Sequence, residues 1–219
     1  MPIAENLLKI KESLPEQVTL VAVSKTKPVS DLMQAYNAGQ RIFGENKIQE
    51  MVDKWEQMPK NIAWHMIGHV QTNKVKYMAP FVSLIHGVDS LKLLVEINKQ
   101  ALKNNRIIDC LLQIYIAEEE SKFGLDEQEL QQLLSSPTFT QMKNIKIVGL
   151  MGMATFTNDQ NQIKKEFTHL KSMFDNIQKL ETTNCQLSTI SMGMSGDYSL
   201  AIECGSTMVR IGSSIFGGR

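Results

Sequence analysis

Thr19-Leu20-Val21-Ala22-Val23-Ser24-Lys25-Thr26-Lys27-Pro28 sets the reading of the whole 219-residue chain. Its unbroken β-branched and small apolar residues describe a strand buried on both faces, the kind a parallel sheet covered by helices requires. The run stops at a serine, a lysine and a turn closed by proline. Side chains two apart share a strand face, so with Val21 and Val23 turned toward a core, Lys25 points the same way at its rim. Amines half withdrawn from water have lowered pKa values and act as nucleophiles toward aldehydes. The alternative is a strand-end lysine whose ammonium snorkels into solvent.

Outward from that strand, apolar runs alternate with segments of helical periodicity. Strands are expected at Arg41–Gly44, Ala63–Gly68, Leu84–Val88, Asp109–Ala117, Ile145–Ala154, Leu187–Met192 and Met208–Gly212. Helices are expected at Glu5–Ser13, Val29–Asn37 (stopped by Gly39), Asn46–Met58, Ser90–Lys103, Asp126–Leu134, Asp159–Leu180 and Asp197–Glu203, with a helical turn near Asn73–Met78. Eight strands, nearly all followed by helical residues and with no Pro/Gly/Ser-rich linker, predict one domain over residues 1–219, an α/β fold closed as a single (β/α)8 TIM barrel. A doubly wound open sheet is the competitor, but no glycine-rich dinucleotide fingerprint follows the first strand.

Twenty-three basic and 23 acidic residues cancel, so nothing in the charge balance points to nucleic acid or an anionic membrane. Hydrophobic residues make up 42% of the chain, which suits a globular protein. No apolar run is long enough for a membrane span, and the polar start Met1 to Asn6 does not resemble a signal peptide, so a cytoplasmic location is expected. Cys110, Cys185 and Cys204 lack metal-ligand spacing and are read as reduced, buried thiols. The thirteen methionines are read as core filler.

A barrel of this kind carries its chemistry at the carboxyl ends of the strands. There the chain places Lys25, Gly44-Glu45-Asn46, His65, Gly68-His69, His86, Asp89, Glu118 to Lys122, Met153-Ala154-Thr155, Ser191 to Asp197 and Arg210 to Ser214. Ser191-Met192-Gly193-Met194-Ser195-Gly196-Asp197 offers hydroxyls and small residues ahead of a helix N-terminus, and Arg210-Ile211-Gly212-Ser213-Ser214 adds a glycine and two hydroxyls where barrels often bind phosphate. Together they suggest a phosphate cradle. The competing reading has Ser195 or Asp197 simply capping the short helix. Arg210 shares a face with Met208 and Gly212 and is expected to point into the barrel. No carboxylate at a neighbouring strand end is an evident partner, which leaves the acceptor to a ligand.

A nucleophilic lysine after the first strand, a phosphate cradle after the seventh and eighth, and an arginine between them fit a phosphorylated aromatic aldehyde held as a Schiff base, and pyridoxal 5'-phosphate is such a compound. Val21 to Lys27, Phe43-Gly44-Glu45-Asn46, Trp64 to Gly68, Gly149-Leu150-Met151, Ser191 to Ser195 and Gly205 to Gly212 resemble the pyridoxal-phosphate homeostasis protein family over nearly the whole chain. The resemblance implies a barrel related to the amino-terminal domain of alanine racemase, with the cofactor carried on Lys25. It also implies phosphate contacts at Ser195, Gly212 and Ser213 and a pyridine-nitrogen contact at Arg210. Asn46 and His65 match positions at the barrel mouth. His69 stands where some members have proline and is given no required role.

Guanidinium only donates, so a pyridine nitrogen facing Arg210 stays unprotonated and the ring is a weak electron sink. Racemisation tolerates that but needs a second acid/base, which in the racemase comes from a second domain that this chain is expected to lack. A reversible cofactor carrier that limits free aldehyde and hands it to apo-enzymes is therefore favoured, as a monomer. The alternatives are a minimal PLP-dependent amino-acid racemase using His65 as second base, and a sugar-phosphate aldolase using Lys25. Lys27, Lys122 and Glu118-Glu119-Glu120 are read as solvated, and Trp55 as packing its helix on the barrel.

Overall fold

The first strand, β1 (Thr19–Val23), pairs in parallel on one side with β2 (Ile42–Glu45) and on the other with the last strand, β8 (Met208–Ile211). Between them run β3 (Ala63–Met66), β4 (Leu84–Val88), β5 (Ile108–Gln113), β6 (Ile145–Met151) and β7 (Cys185–Met194), so the sheet is a closed barrel in sequence order. The computed structural model describes residues 2–119, 122–179 and 184–218. Leu180, the expected end of one helix, and Glu120 lie outside the described residues.

Val21, Leu84, Leu111, Met151 and Met208 come from five different strands yet form one buried cluster, which only side chains facing the lumen can do. Leu20, Ala22, Phe43, Trp64 and Ile85 belong to a second cluster with Leu32, Met51 and Leu94, residues of the surrounding helices. Period-two alternation thus sorts β1 as expected, Val21 inward and its neighbours outward. Those helices include α1 (Ile3–Ser13), α2 (Val29–Asn37), α3 (Ile48–Gln57), α4 (Val75–Met78) and α5 (Leu91–Lys103), the last capped where Ser90 Oγ accepts from Leu93 N at 3.3 Å. Asp126 and Glu129 form a capping box at the start of the helix Glu127–Leu134.

Several boundaries differ from the sequence expectation. The fifth and sixth strands stop at Gln113 and Met151, because the chain then leaves the ladder to build the barrel mouth, whereas β7 runs two residues further at each end. Pro137–Thr140 and Ser213–Phe216 are single helical turns, too short to show a 3.6-residue period. Trp55 packs against the core between the strands and the helices, as expected, and also stacks on Phe81 in the segment before β4, ring centroids 4.4 Å apart and planes within 9°.

Gly149 lies where the β6–β7 register shifts, and a Cβ there would overlap the Thr189 carbonyl oxygen. That oxygen belongs to backbone, which cannot give way cheaply. Gly149→Ala is expected to lower stability by about 2–4 kcal/mol, measured by urea unfolding; an unchanged midpoint would contradict this packing.

Candidate functional site

At the carboxyl ends of the strands opens a cavity of about 640 Å³, and its wall includes all six residues expected to hold the cofactor: Lys25, Asn46, Ser195, Arg210, Gly212 and Ser213. The cavity extends beyond them to Gln160, where the next helix begins, and to Phe156 and Asn158 on the loop after β6, which sequence reading did not single out. That loop is tied down by Glu166, whose carboxylate accepts from Thr155 N and Thr155 Oγ1, both at 2.7 Å, and from Glu118 N at 3.0 Å. No motif spacing connects Glu166 to these partners.

On the β7–β8 side, Ser195 Oγ accepts from Gly212 N at 3.3 Å and Asp197 Oδ1 from Met194 N at 2.6 Å. Neither caps the helix Tyr198–Glu203, whose start has no side-chain cap, so the capping reading of Ser195 and Asp197 is set aside. A Cβ at Gly212 would come within 3.0 Å of the Val23 carbonyl oxygen, so glycine lets the end of β8 press against the end of β1. The end of β7 likewise depends on glycine at Gly193: its φ is +96°, and a methyl there would lie only 2.6 Å from Ala201 Cβ.

Arg210 is 4% exposed and points into the barrel, as expected, but its acceptors are not left to a ligand alone. Nη1 donates to Ser191 O at 2.8 Å and to Ser191 Oγ at 2.6 Å, and Nη2 to Gly152 O at 3.1 Å. Burial lowers its pKa to about 10, with the Asp197 carboxylate pulling the other way, so the guanidinium remains charged at neutral pH. Of the five N–H groups of a guanidinium, two meet no acceptor among the described residues while the residue lines the cavity.

The same contacts fix the protonation of two buried histidines. His86 Nδ1 lies 3.0 Å from Ser191 Oγ, and His86 Nε2 lies 3.0 Å from His65 Nδ1. Since Ser191 Oγ already accepts from Arg210, its own hydrogen is satisfied only by donating to His86 Nδ1. His86 then carries its hydrogen on Nε2 and donates to His65 Nδ1, so the chain of donors runs outward from Arg210 through two neutral imidazoles. Burial lowers the His65 pKa to about 3, and burial together with His65 and Arg210 holds that of His86 well below the ordinary histidine value. His65 is 5% exposed and is not part of the cavity wall, which corrects both its expected place at the barrel mouth and its candidacy as a second base. Lys27, expected in solvent, instead lines the cavity and donates to Gly218 O at 2.8 Å. Lys122 pairs with Glu119 Oε2 at 3.5 Å.

Fold and cavity define a parallel barrel that gathers an amine, a guanidinium and a hydroxyl-lined loop pair at its carboxyl end, and comparison with known proteins places that class. Residues 2–219 match the family described as alanine racemase, N-terminal domain. The pyridoxal phosphate homeostasis protein of Pasteurella multocida is 39% identical over 232 residues, covering 100% of this chain and 98% of that protein. PipY of Synechococcus elongatus, solved with PLP bound, superposes with a TM-score of 0.88 at 32% identity over 98% of this chain and 100% of its own. Alanine racemase of Clostridium difficile shares the fold alone, with a TM-score of 0.80 at 16% identity over 100% of this chain and 56% of the racemase. The chain belongs to the pyridoxal phosphate homeostasis protein family.

The buried imidazoles make stability sensitive to acid. Below the ordinary histidine value of 6.5 the unfolded chain takes up protons that the folded state refuses, so stability is intact above that pH and falls as pH drops toward about 3. The slope is about 1.4 kcal/mol per pH unit for each such histidine. His65→Gln, which keeps an acceptor for His86, is expected to remove one histidine's share of the loss between pH 6.5 and 5 in urea unfolding. An unchanged slope would place the acid sensitivity elsewhere.

Proposed function

We propose that this protein binds pyridoxal 5'-phosphate reversibly at the barrel mouth and serves in PLP homeostasis, with Lys25 as the attachment residue. The observation that carries the reading is the convergence of Lys25, Asn46, Ser195, Arg210, Gly212 and Ser213 on one cavity. The donor set also fits the group. Gly212 and the Ser195 and Ser213 hydroxyls line one side of the cavity, where a phosphate would sit, and a permanently charged guanidinium with unused N–H groups faces the space a pyridine nitrogen would need. When bound, the cofactor supplies an aldehyde for condensation with the Lys25 amine, one water leaving as the C=N bond forms.

The protein's own residues then have separable roles. Gly212, Ser195 and Ser213 hold the phosphate, and Lys25 forms the reversible bond. Arg210 donates to the pyridine nitrogen and keeps it unprotonated, which disfavours chemistry that needs a strong electron sink. Reversible attachment limits free aldehyde and leaves the cofactor transferable to apo PLP enzymes, the partners we assign. The same reading takes residues 1–219 as one PLP-binding domain acting as a monomer in the cytoplasm. The balanced net charge gives no pull toward nucleic acid or an anionic membrane, and among the described residues no helix is long and apolar enough to cross a membrane.

Visible spectra of protein mixed with PLP test this. The wild type is expected to show a violet-edge absorbance that bleaches with borohydride, and Lys25→Ala to lack it. An unchanged band in the variant would move the attachment to another lysine and overturn the assignment.

A further inference from the structure

Behind the end of β1, on the helix side of the barrel, lies a buried ion cluster that the proposed cofactor contacts do not use. Lys54, on α3, has a side chain only 7% exposed, and its ammonium has three hydrogens and three acceptors: Ser24 O at 2.7 Å, Glu45 Oε1 at 2.7 Å and Glu50 Oε1 at 2.8 Å. Ser24 Oγ donates to the same Glu45 oxygen at 2.5 Å, and Thr26 N donates to Glu50 Oε1 at 2.5 Å. The two residues flanking Lys25 are therefore fastened to one ammonium, Ser24 directly through its carbonyl and Thr26 through Glu50.

Thr26 needs that fastening. Its φ of +65° is a left-handed conformation, which for a β-branched residue costs about 1–2 kcal/mol and persists only where surrounding bonds enforce it. Stability of the fold does not require an ion cluster at this place. Two carboxylates share one ammonium, Glu45 is fully buried with Oε2 lacking a partner among the described residues, and burial pushes its carboxyl pKa up while Lys54 and Ser24 pull it back. Apolar residues of similar volume commonly serve a core equally well or better. What apolar residues cannot supply is a set of directed bonds to the backbone on both sides of one lysine.

We infer that Lys54, with Glu45 and Glu50, is a positioning residue that sets the backbone at Lys25 so that its amine meets an aldehyde held in the phosphate cradle. The inference rests on the proposed attachment at Lys25. Condensation needs the amine within bonding reach along a defined approach, whereas noncovalent seating of ring and phosphate depends on residues from β7 and β8. The cluster should therefore affect the first and leave the second alone.

The test compares two ligands: PLP, and 4-deoxypyridoxine 5'-phosphate, which keeps ring and phosphate but has no aldehyde. In the double variant Lys54→Met/Glu45→Leu, which removes the buried charges together, affinity for PLP is expected to fall roughly tenfold or more, while affinity for the analogue stays within about twofold. Glu50→Ala, at the solvent-reaching side of the cluster, cuts the Thr26 link without leaving a deeply buried charge and is expected to show the same split should the double variant not fold. Equal losses for both ligands would make the cluster a stabiliser of the barrel only, and no loss for either would remove it from the site; both results overturn the inference. Failure of the underlying attachment is visible separately, as a wild type that binds PLP no better than the analogue and is not fixed by borohydride.

Discussion

Closure of the sheet by parallel pairing of β1 with β8 is the constraint on which the site depends. It sets Val21 opposite Arg210 and Ala22 opposite Ile211, residues almost 190 positions apart in the chain, and presses Gly212 against the carbonyl of Val23. Without that ladder the lysine end and the phosphate-type loops would belong to opposite edges of a sheet. With it, they form adjoining parts of one cavity wall. The geometry is rigid because the strands are pinned by backbone hydrogen bonds and their lumen is filled by close-packed side chains.

Polar groups are then placed on both sides of the barrel wall in ways that serve orientation. Inside, Arg210, Ser191, His86 and His65 form a directed chain that holds the guanidinium from behind. Outside, Lys54 holds the loop after β1 and Glu166 holds the loops after β5 and β6. Each is a buried group whose desolvation is unfavourable and is offset only by several bonds made together. Helices thus do more than cover apolar strands: α3 carries the ammonium that reaches through to the segment bearing Lys25.

Much of this was legible in the sequence because burial on both faces leaves a strong mark: the apolar runs gave eight strands in order, and polar residues at their ends stood out. Strand phase then put Val21 inside and Arg210 beside it in the lumen, as found. Boundaries were less legible at Gln113 and Met151, where the chain remains apolar after leaving the ladder, and at Cys185, where the polar Gln186 interrupts the apolar run inside the strand. Partners across the barrel were not legible. Nothing in local sequence says that His65 faces His86 instead of the mouth, or that Arg210 finds backbone carbonyls on β7 and after β6. The Lys54 cluster escaped notice because a lysine on an amphipathic helix looks like a solvated one until the helix is docked.

A crystal structure of the protein with pyridoxal 5'-phosphate tests the central claim most directly. The account predicts density continuous with Lys25 Nζ, the phosphate against Ser195, Gly212 and Ser213, and the ring nitrogen within hydrogen-bond distance of Arg210. A cofactor attached to a different lysine, or a phosphate seated away from the β7–β8 loops, would contradict it.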